Sequence, residues 1–240
     1  KFEGGFHGTS DYAVMSVTPS ASLEFPQAVA NSGGIPKALQ DLMLISQYND
    51  LDTTTAIIDA HHSELAAVIV EPLQRVIGPQ PGFLQGLRDL TTKYEIPLIF
   101  DEVVTGFRLS YGGAQGHYGV TPDLCAVGKI MGGGYPLAAV MGRSDIMSVY
   151  DQNLTASEDF VGQTGTLNGN PIACAAGLAT LAELRKEGAY EKLRATGSRV
   201  RQALLDTCAT NGIPAQSSGD DAIFDVFFTD QPVRNYRDGL

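Results

Sequence analysis

Residues 65–101, LAAVIVEPLQRVIGPQPGFLQGLRDLTTKYEIPLIFD, decide the fold. The apolar run Leu65–Val70 stops at Glu71-Pro72, and a Gly/Pro-rich loop leads to Pro81-Gly82. Beyond it Phe83, Leu84, Leu87, Leu90 and Tyr94 recur at helical spacing. A second apolar run, Ile96–Phe100, ends on Asp101-Glu102. Strand, helix and strand in this order make a βαβ unit, and strands that are apolar throughout predict a parallel sheet covered on both faces. Open sheets of this kind take ligands beyond the carboxyl ends of their strands, so Glu71 and Asp101 are expected on a ligand-binding rim.

Outward from this unit, a third strand, Leu124–Val127, ends on Gly128-Lys129, and Gly132-Gly133-Gly134 turns the chain into a further strand, Leu137–Met141. Lys129 is thereby expected at the same edge as Asp101. Pro171–Lys186 has the spacing of a buried helix, Tyr190–Cys208 that of a more exposed one, and Ala222–Thr229 reads as a strand of a new, smaller layer. Pro19–Asp50 is the least regular stretch. There is no internal repeat and no low-complexity segment. The expected architecture is α/β: a three-layer, mostly parallel sheet with helices on both faces over residues 1–187, then the start of a small α+β C-terminal domain over 188–240. The chain opens at Lys1 straight into the turn Gly4-Gly5-Phe6-His7-Gly8 and stops at Arg237-Asp238-Gly239-Leu240 in mid-pattern, which reads as a fragment with both domains incomplete.

With 240 residues, 43% of them hydrophobic, the chain is long enough for a sizeable core. Its 27 acidic and 16 basic residues give a net charge of -11, which disfavours nucleic acid and anionic membrane surfaces as partners. No apolar run approaches the roughly 18 residues that span a bilayer, and no signal segment opens the chain. Cys125, Cys174 and Cys208 lie far apart without CxxC spacing, which fits a reducing cytoplasm better than a disulfide framework.

A lysine after an apolar strand, followed by three glycines and facing an aspartate from the next strand, suits an amine that is neutral part of the time. Partial burial disfavours the ammonium form, and the free amine attacks an aldehyde to form a Schiff base. Pyridoxal 5'-phosphate (PLP) supplies such an aldehyde. Its ring nitrogen must stay protonated, and a buried carboxylate such as Asp101 holds that proton by a charge-assisted hydrogen bond. Its phosphate needs N–H groups and hydroxyls, for which Gly165-Thr166, ahead of the helix opened by Asn170-Pro171, are candidates.

Taken alone, each residue also has a plainer reading. Asp101 suits a helix cap or loop anchor, Lys129 a solvated surface position, Phe6 the core, His7 a hydrogen bond within a loop, and Gly165-Thr166 an ordinary cap. His61-His62 have no metal-ligand spacing to another His or Cys, so no metal site is expected. Gly128-Lys129 lacks the earlier glycine of a P-loop, and neither a GxSxG elbow nor a GxGxxG fingerprint is present.

Phe100-Asp101-Glu102-Val103-Val104-Thr105-Gly106-Phe107-Arg108, then Pro122-Asp123-Leu124 leading to Gly128-Lys129-Ile130-Met131-Gly132-Gly133-Gly134-Tyr135-Pro136, resembles the class III aminotransferases. The likeness runs from Gly5-Phe6-His7-Gly8 through Val70-Glu71-Pro72 to Gly165-Thr166-Leu167-Asn168-Gly169-Asn170-Pro171. Within the family it is nearest to glutamate-1-semialdehyde 2,1-aminomutase and its aminotransferase relatives, through Tyr111-Gly112-Gly113-Ala114-Gln115 and Tyr118–Asp123, which look like that branch's gating loop. The resemblance implies the fold type I architecture and PLP as cofactor, with residues 1–187 as the PLP-binding large domain. It implies that Lys129 carries PLP as a Schiff base, Asp101 pairs with the pyridine nitrogen, Val103 packs on one ring face and Phe6 stacks on the other, with His7 in the same cofactor-binding turn. Gly165 and Thr166 would reach the phosphate of the neighbouring subunit, which implies a homodimer acting on small amine and keto substrates.

The sequence also departs from the family. Phe6 stands where Tyr is usual, so stacking survives and a hydroxyl is lost. Val76 stands where the aminomutase has Asn and many ω-aminotransferases have Glu; that polar contact is absent or supplied by another residue, with Gln74 the candidate. Ser20–Gln47 does not look like the aminomutase. The family's phosphate loop and substrate-binding arginine are expected before Lys1 and after Leu240. These departures favour an aminotransferase over the aminomutase, with a non-catalytic dimerising piece of the same fold as the remaining alternative.

Overall fold

A computed structural model describes residues 1–19 and 24–239, so the start of the Ser20–Gln47 departure lies outside the described residues. In chain order the elements are α1 (Lys37–Gln40), α2 (Leu51–His61), β1 (Val68–Val70), α3 (Phe83–Lys93), β2 (Leu98–Glu102), α4 (Gly113–Tyr118), β3 (Leu124–Val127), β4 (Ala139–Gly142), α5 (Ser144–Met147), α6 (Pro171–Leu184), α7 (Ala189–Thr210), β5 (Gln216–Asp220) and β6 (Ile223–Phe227). Short 3-10 turns cover Lys129–Gly132, Ser148–Tyr150 and Arg237–Gly239.

The main sheet has the order β1-β2-β3-β4. Its first three strands are parallel, and β4 runs antiparallel to β3 at the edge. β5 and β6 form a separate antiparallel pair, against which α7 packs. Strand boundaries in the main sheet differ from the sequence reading. Leu65–Ala67 fall outside β1, because β2 begins only at Leu98 and offers them no partner. Pro97 has no N–H for a ladder, so β2 starts after it and continues through Asp101 and Glu102, which pair with Ala126 and Val127. The fourth strand starts at Ala139, opposite the last residue of β3, and not at Leu137.

Side chains alternate across these strands, and the pleat decides which residues meet the core. Val68, Val70, Leu98, Phe100 and Cys125 are buried in one cluster with Phe83, Leu84, Leu87 and Leu90 of α3. The opposite face carries Ile69, Ile99, Asp101 and Ala126, of which only Asp101 is buried. Glu102 points back to the core side. It is fully buried, accepts Thr105 Oγ1 at 3.1 Å and Gln115 N at 3.2 Å, and also takes the Ala114 N–H, which anchors the start of α4. Asp123 ties β2 to β3: its carboxylate accepts Leu98 N at 2.8 Å, Arg88 Nη1 at 2.7 Å and Arg143 Nη1 at 2.9 Å.

α6 opens with Asn170 capping Ile172 N at 3.0 Å and Ala173 N at 3.2 Å, followed by Pro171 at the first helical position. The sequence reading expected a buried helix here. Only Ala173 and Gly177 are buried, while Ile172 and Leu178 are 62% and 72% exposed. The apolar α6 thus stays open on one side. The three cysteines are free, and no helix among the described residues is long and apolar enough to cross a membrane.

Leu87 has no exposed surface and sits at the centre of the α3–sheet cluster. Leu87→Ala should destabilise the protein by about 2–5 kcal/mol in denaturant titrations, with the slope of the transition unchanged. A loss under about 1 kcal/mol would mean that α3 does not hold this face of the sheet.

Candidate active site

The turn at residues 4–8 is fixed by charge. Lys1 Nζ donates to the carbonyls of Gly5 at 2.6 Å, Ala13 at 3.1 Å and Met15 at 2.6 Å, and burial lowers its pKa to about 8. Glu71, directly after β1, accepts the Phe6 N–H on Oε1 at 2.6 Å and the Arg75 N–H on Oε2 at 3.4 Å. Burial pushes the Glu71 carboxyl up, aided by the nearby Asp101, while the Phe6 and Arg75 N–H bonds and the Arg75 charge act against it. Phe6 is thus held by its backbone and is 45% exposed, which excludes the core position that was its plainer reading. The Arg75 guanidinium lies 5.8 Å from the ring centroid.

His7 turns inward and meets Asp101, with Nδ1 2.7 Å from Oδ2 and side-chain exposures of 6% and 9%. The other carboxylate oxygen accepts Val103 N at 3.1 Å. Burial pushes the His7 pKa below its ordinary value, and the Asp101 carboxylate opposes that shift. His7 is therefore a hydrogen-bonder, and its partner is the aspartate that the sequence singled out.

Lys129 follows β3 and is exposed, with φ 45° in the left-handed region that side chains rarely adopt. Such strain persists where the surroundings over-determine it and recurs at functional positions. Asp101 pairs in register with Ala126, three residues before Lys129. Gly128 lies against the residue two beyond Asp101: a Cβ built on it would sit 3.6 Å from Val103 Cγ1. The acid-bearing and lysine-bearing turns thus leave adjacent strands side by side. Val103 and Ala126 also line a cleft of about 880 Å³, together with Pro136, Tyr150, Leu167 and Asn168, a volume suited to a small organic ligand.

Other sequence candidates lie elsewhere. Gly165 and Thr166 are exposed in the turn before α6, where Asn168 N donates to Gly165 O at 3.0 Å. Gln74 does not reach the rim. It is 1% exposed, and its Nε2 donates to the Glu3 carbonyl at 2.7 Å, because the loop after Glu71 closes through Gln74–Ile77 backbone bonds. The stretch that resembles a gating loop contains α4, and Tyr111 Oη accepts Arg185 Nη2 at 2.7 Å.

Residues 1–233 match the family model for class-III aminotransferases. The chain belongs to the class-III aminotransferases. Among curated members of that family, it is 43% identical to glutamate-1-semialdehyde 2,1-aminomutase 2 of Exiguobacterium sibiricum, over 98% of this chain and 53% of that protein. It is 44% identical to the glutamate-1-semialdehyde 2,1-aminomutase of Desulfitobacterium hafniense, over 99% and 54%. An omega-transaminase from Sphaerobacter thermophilus superposes with a TM-score of 0.93 at 37% identity, covering 100% of this chain and 55% of that one. A glutamate-1-semialdehyde aminomutase variant from Pseudomonas aeruginosa in complex with PMP gives 0.80 at 28% identity, covering 99% and 53%. The chain therefore spans about half the length of the class-III relatives it matches, and the mixed, mostly parallel sheet with its helices is that family's fold.

The low His7 pKa has a consequence for stability. Above about pH 6.5 the imidazole is neutral folded and unfolded; below it the unfolded chain takes the proton first, so stability is lost as the pH is lowered. Between pH 8 and pH 5 wild type should lose more stability than His7→Gln in chemical denaturation. Parallel pH curves would show that His7 is not the buried base described.

Proposed function

We propose that the protein transfers amino groups between small amines and keto acids or aldehydes with PLP as cofactor. The observation that carries the proposal is the His7–Asp101 pair beside the Val103–Gly128 contact, a nearly buried carboxylate next to a strained lysine turn. The residues fit the cofactor. A carboxylate held by His7 and by Val103 N suits a protonated pyridine nitrogen, Phe6 offers an exposed ring fixed at its backbone by Glu71, and Val103 offers an apolar surface on the cleft.

When bound, PLP supplies an aldehyde to take up the amino group and a ring to draw electrons from the substrate carbon. Asp101 would hold the proton on the ring nitrogen, since a charge-assisted hydrogen bond in a dry site is stronger than one in water. Lys129 Nζ would anchor the cofactor and, once released, move the proton at the substrate carbon. Phe6 and Val103 would keep the ring in plane and exclude water from its two faces.

The same reading includes a homodimer. Ile172 and Leu178 of α6, Val140 of β4 and Leu167 are exposed apolar side chains that a partner could cover, and Gly165 and Thr166 would reach the partner's phosphate group. The division into a large domain at residues 1–187 and the start of a smaller one at 188–240 belongs to it too, supported by the separate β5–β6 sheet. So does a cytoplasmic location, supported by three free cysteines. Amino transfer to an external acceptor is favoured by the TM-score of 0.93 to the omega-transaminase against 0.80 to the aminomutase. The intramolecular aminomutase is the second reading, favoured by 43–44% identity to curated aminomutases.

PLP added to the full-length protein should give a visible absorption band, and borohydride should then fix the cofactor mass on the peptide carrying Lys129. Lys129→Ala should lose both signals, and a band retained in that variant would remove Lys129 from its role. Turnover of an amine should require an added keto acid or aldehyde. Turnover of glutamate-1-semialdehyde without an acceptor would favour the aminomutase.

A further inference from the structure

The loop after Glu71 makes its turn without a glycine. Gln74 and Ile77 are paired through their backbones, Gln74 N to Ile77 O at 3.0 Å and Ile77 N to Gln74 O at 2.8 Å. The two residues between them, Arg75 and Val76, both lie in the left-handed region, with φ 50° and 65°. A two-residue turn with positive φ at both positions favours Asn and Gly, and a β-branched residue there is an outlier. Such strain persists where the surroundings over-determine it and recurs where ligands are clamped. Here they are firm: Gln74 is buried and donates to the Glu3 carbonyl at 2.7 Å, and Val76 packs on the cluster of Leu73, Leu109 and Ala114.

What the turn achieves is the placement of Arg75. Its backbone N–H and that of Phe6 bind the two oxygens of one carboxylate, Glu71, at 3.4 Å and 2.6 Å. Its Nε donates to the Gly4 carbonyl at 3.0 Å, and its Cζ lies 5.8 Å from the centroid of the Phe6 ring. The guanidinium is thus fastened at one end to the turn that carries Phe6 and His7. Its Nη1 and Nη2 have no hydrogen-bond partner among the described residues, and the residue is exposed. Glu71 feels the Arg75 charge, but both of its oxygens are engaged by backbone N–H groups. A guanidinium held through Nε still presents its Nη1–Nη2 edge, a planar fork that fits the two oxygens of a carboxylate.

We propose that Arg75 is a substrate-binding residue whose Nη1–Nη2 edge takes the carboxylate of an amino acid or keto acid beside the Phe6 ring. The inference rests on the proposed function, since a cofactor stacked on Phe6 is what would bring a substrate there. A solvated arginine would gain nothing from a strained turn or from a tether to Gly4. The chain carries a net charge of -11 and repels anions, so a substrate carboxylate needs a cation at the rim. Lys1, the other cation that bears on Glu71, is spent on the carbonyls of Gly5, Ala13 and Met15. Lys129 is reserved for the cofactor in the same reading. Arg75 is separate from the arginine expected beyond Leu240 and would act from the side of Phe6.

The test uses full-length protein loaded with PLP and pairs of donors in which a methyl group replaces the carboxylate: alanine with isopropylamine, and β-phenylalanine with 1-phenylpropylamine. Loss of the visible cofactor band in single turnovers without acceptor gives each donor a limiting rate and a half-saturating concentration. Wild type should prefer the acid in at least one pair. Arg75→Gln should cut that preference by about tenfold to a hundredfold, through the half-saturating concentration of the acid, which is the scale of one charge-assisted hydrogen bond. Arg75→Lys keeps the charge, loses the fork and should fall in between. Arg75→Gly suits the left-handed φ and takes the place of Arg75→Gln should that variant fail to fold. Hydrocinnamate, which has the carboxylate and no amine, should bind more weakly to the variant than to wild type by the same factor in calorimetry. A preference within about threefold of the wild-type value, a wild type that prefers the acid in neither pair, or hydrocinnamate bound equally by both proteins would overturn the proposal. A wild type without a cofactor band would end the functional reading itself, whereas a band with an unchanged preference ends only the role of Arg75.

Discussion

Burying a carboxylate is the constraint around which this molecule is arranged. Asp101 sits one residue from the end of β2, on the sheet face away from α3, with 8% of its surface exposed. A carboxylate taken out of water there would cost several kcal/mol if nothing compensated it. His7 on one oxygen and Val103 N on the other supply that compensation and keep the group aimed. For His7 to arrive, the chain's first turn must be closed, which the Lys1 cage and the Glu71–Phe6 bond accomplish.

The site is built from segments far apart in sequence, and each is fastened by a polar anchor. Glu71 holds residue 6, Asp101 holds residues 7 and 103, and Glu102 and Asp123 hold α4 and the junction of β2 with β3. The far end of the chain is tied in as well, through Arg237 on Glu3 and Tyr236 against Gly4. Acidic residues at the ends of parallel strands thus serve two purposes. Asp101 turns to the sheet face away from α3 and meets His7, and its neighbours bind the backbone of the loops around it.

Much of this was legible in the sequence, and the reasons are local. Phe83, Leu84, Leu87 and Leu90 specify α3 by their spacing alone, and β3 runs from Leu124 to Val127 as read. Strand ends were misread because the partner decides them: Pro97 delays β2, and β2 in turn shortens β1. The helix α2 escaped notice because Thr53, Thr54, Thr55, Ile57 and Ile58 are β-branched, although Asp50 caps it through Thr53 N at 2.9 Å. Asp101 and Lys129 stood out by their place at strand ends, and Val103 by the family resemblance alone. His7 was placed in the cofactor-binding turn, but its partner was not evident, since 94 residues separate it from Asp101. Glu71 was expected at the rim; it follows β1 directly, and its anchoring of Phe6 was not evident in the sequence. The place of Arg75 depends on a closed loop and a left-handed turn, neither of which leaves a periodic signal.

The central claim is that residues 101 and 129, delivered by neighbouring parallel and 3-10 segments, grip opposite parts of one aromatic aldehyde. A crystal structure of the full-length protein with PLP tests it most directly. The account predicts continuous density between Lys129 Nζ and the cofactor, and an Asp101 carboxylate oxygen within about 3.2 Å of the pyridine nitrogen. A cofactor attached to another lysine, or a ring nitrogen out of reach of Asp101, would contradict it.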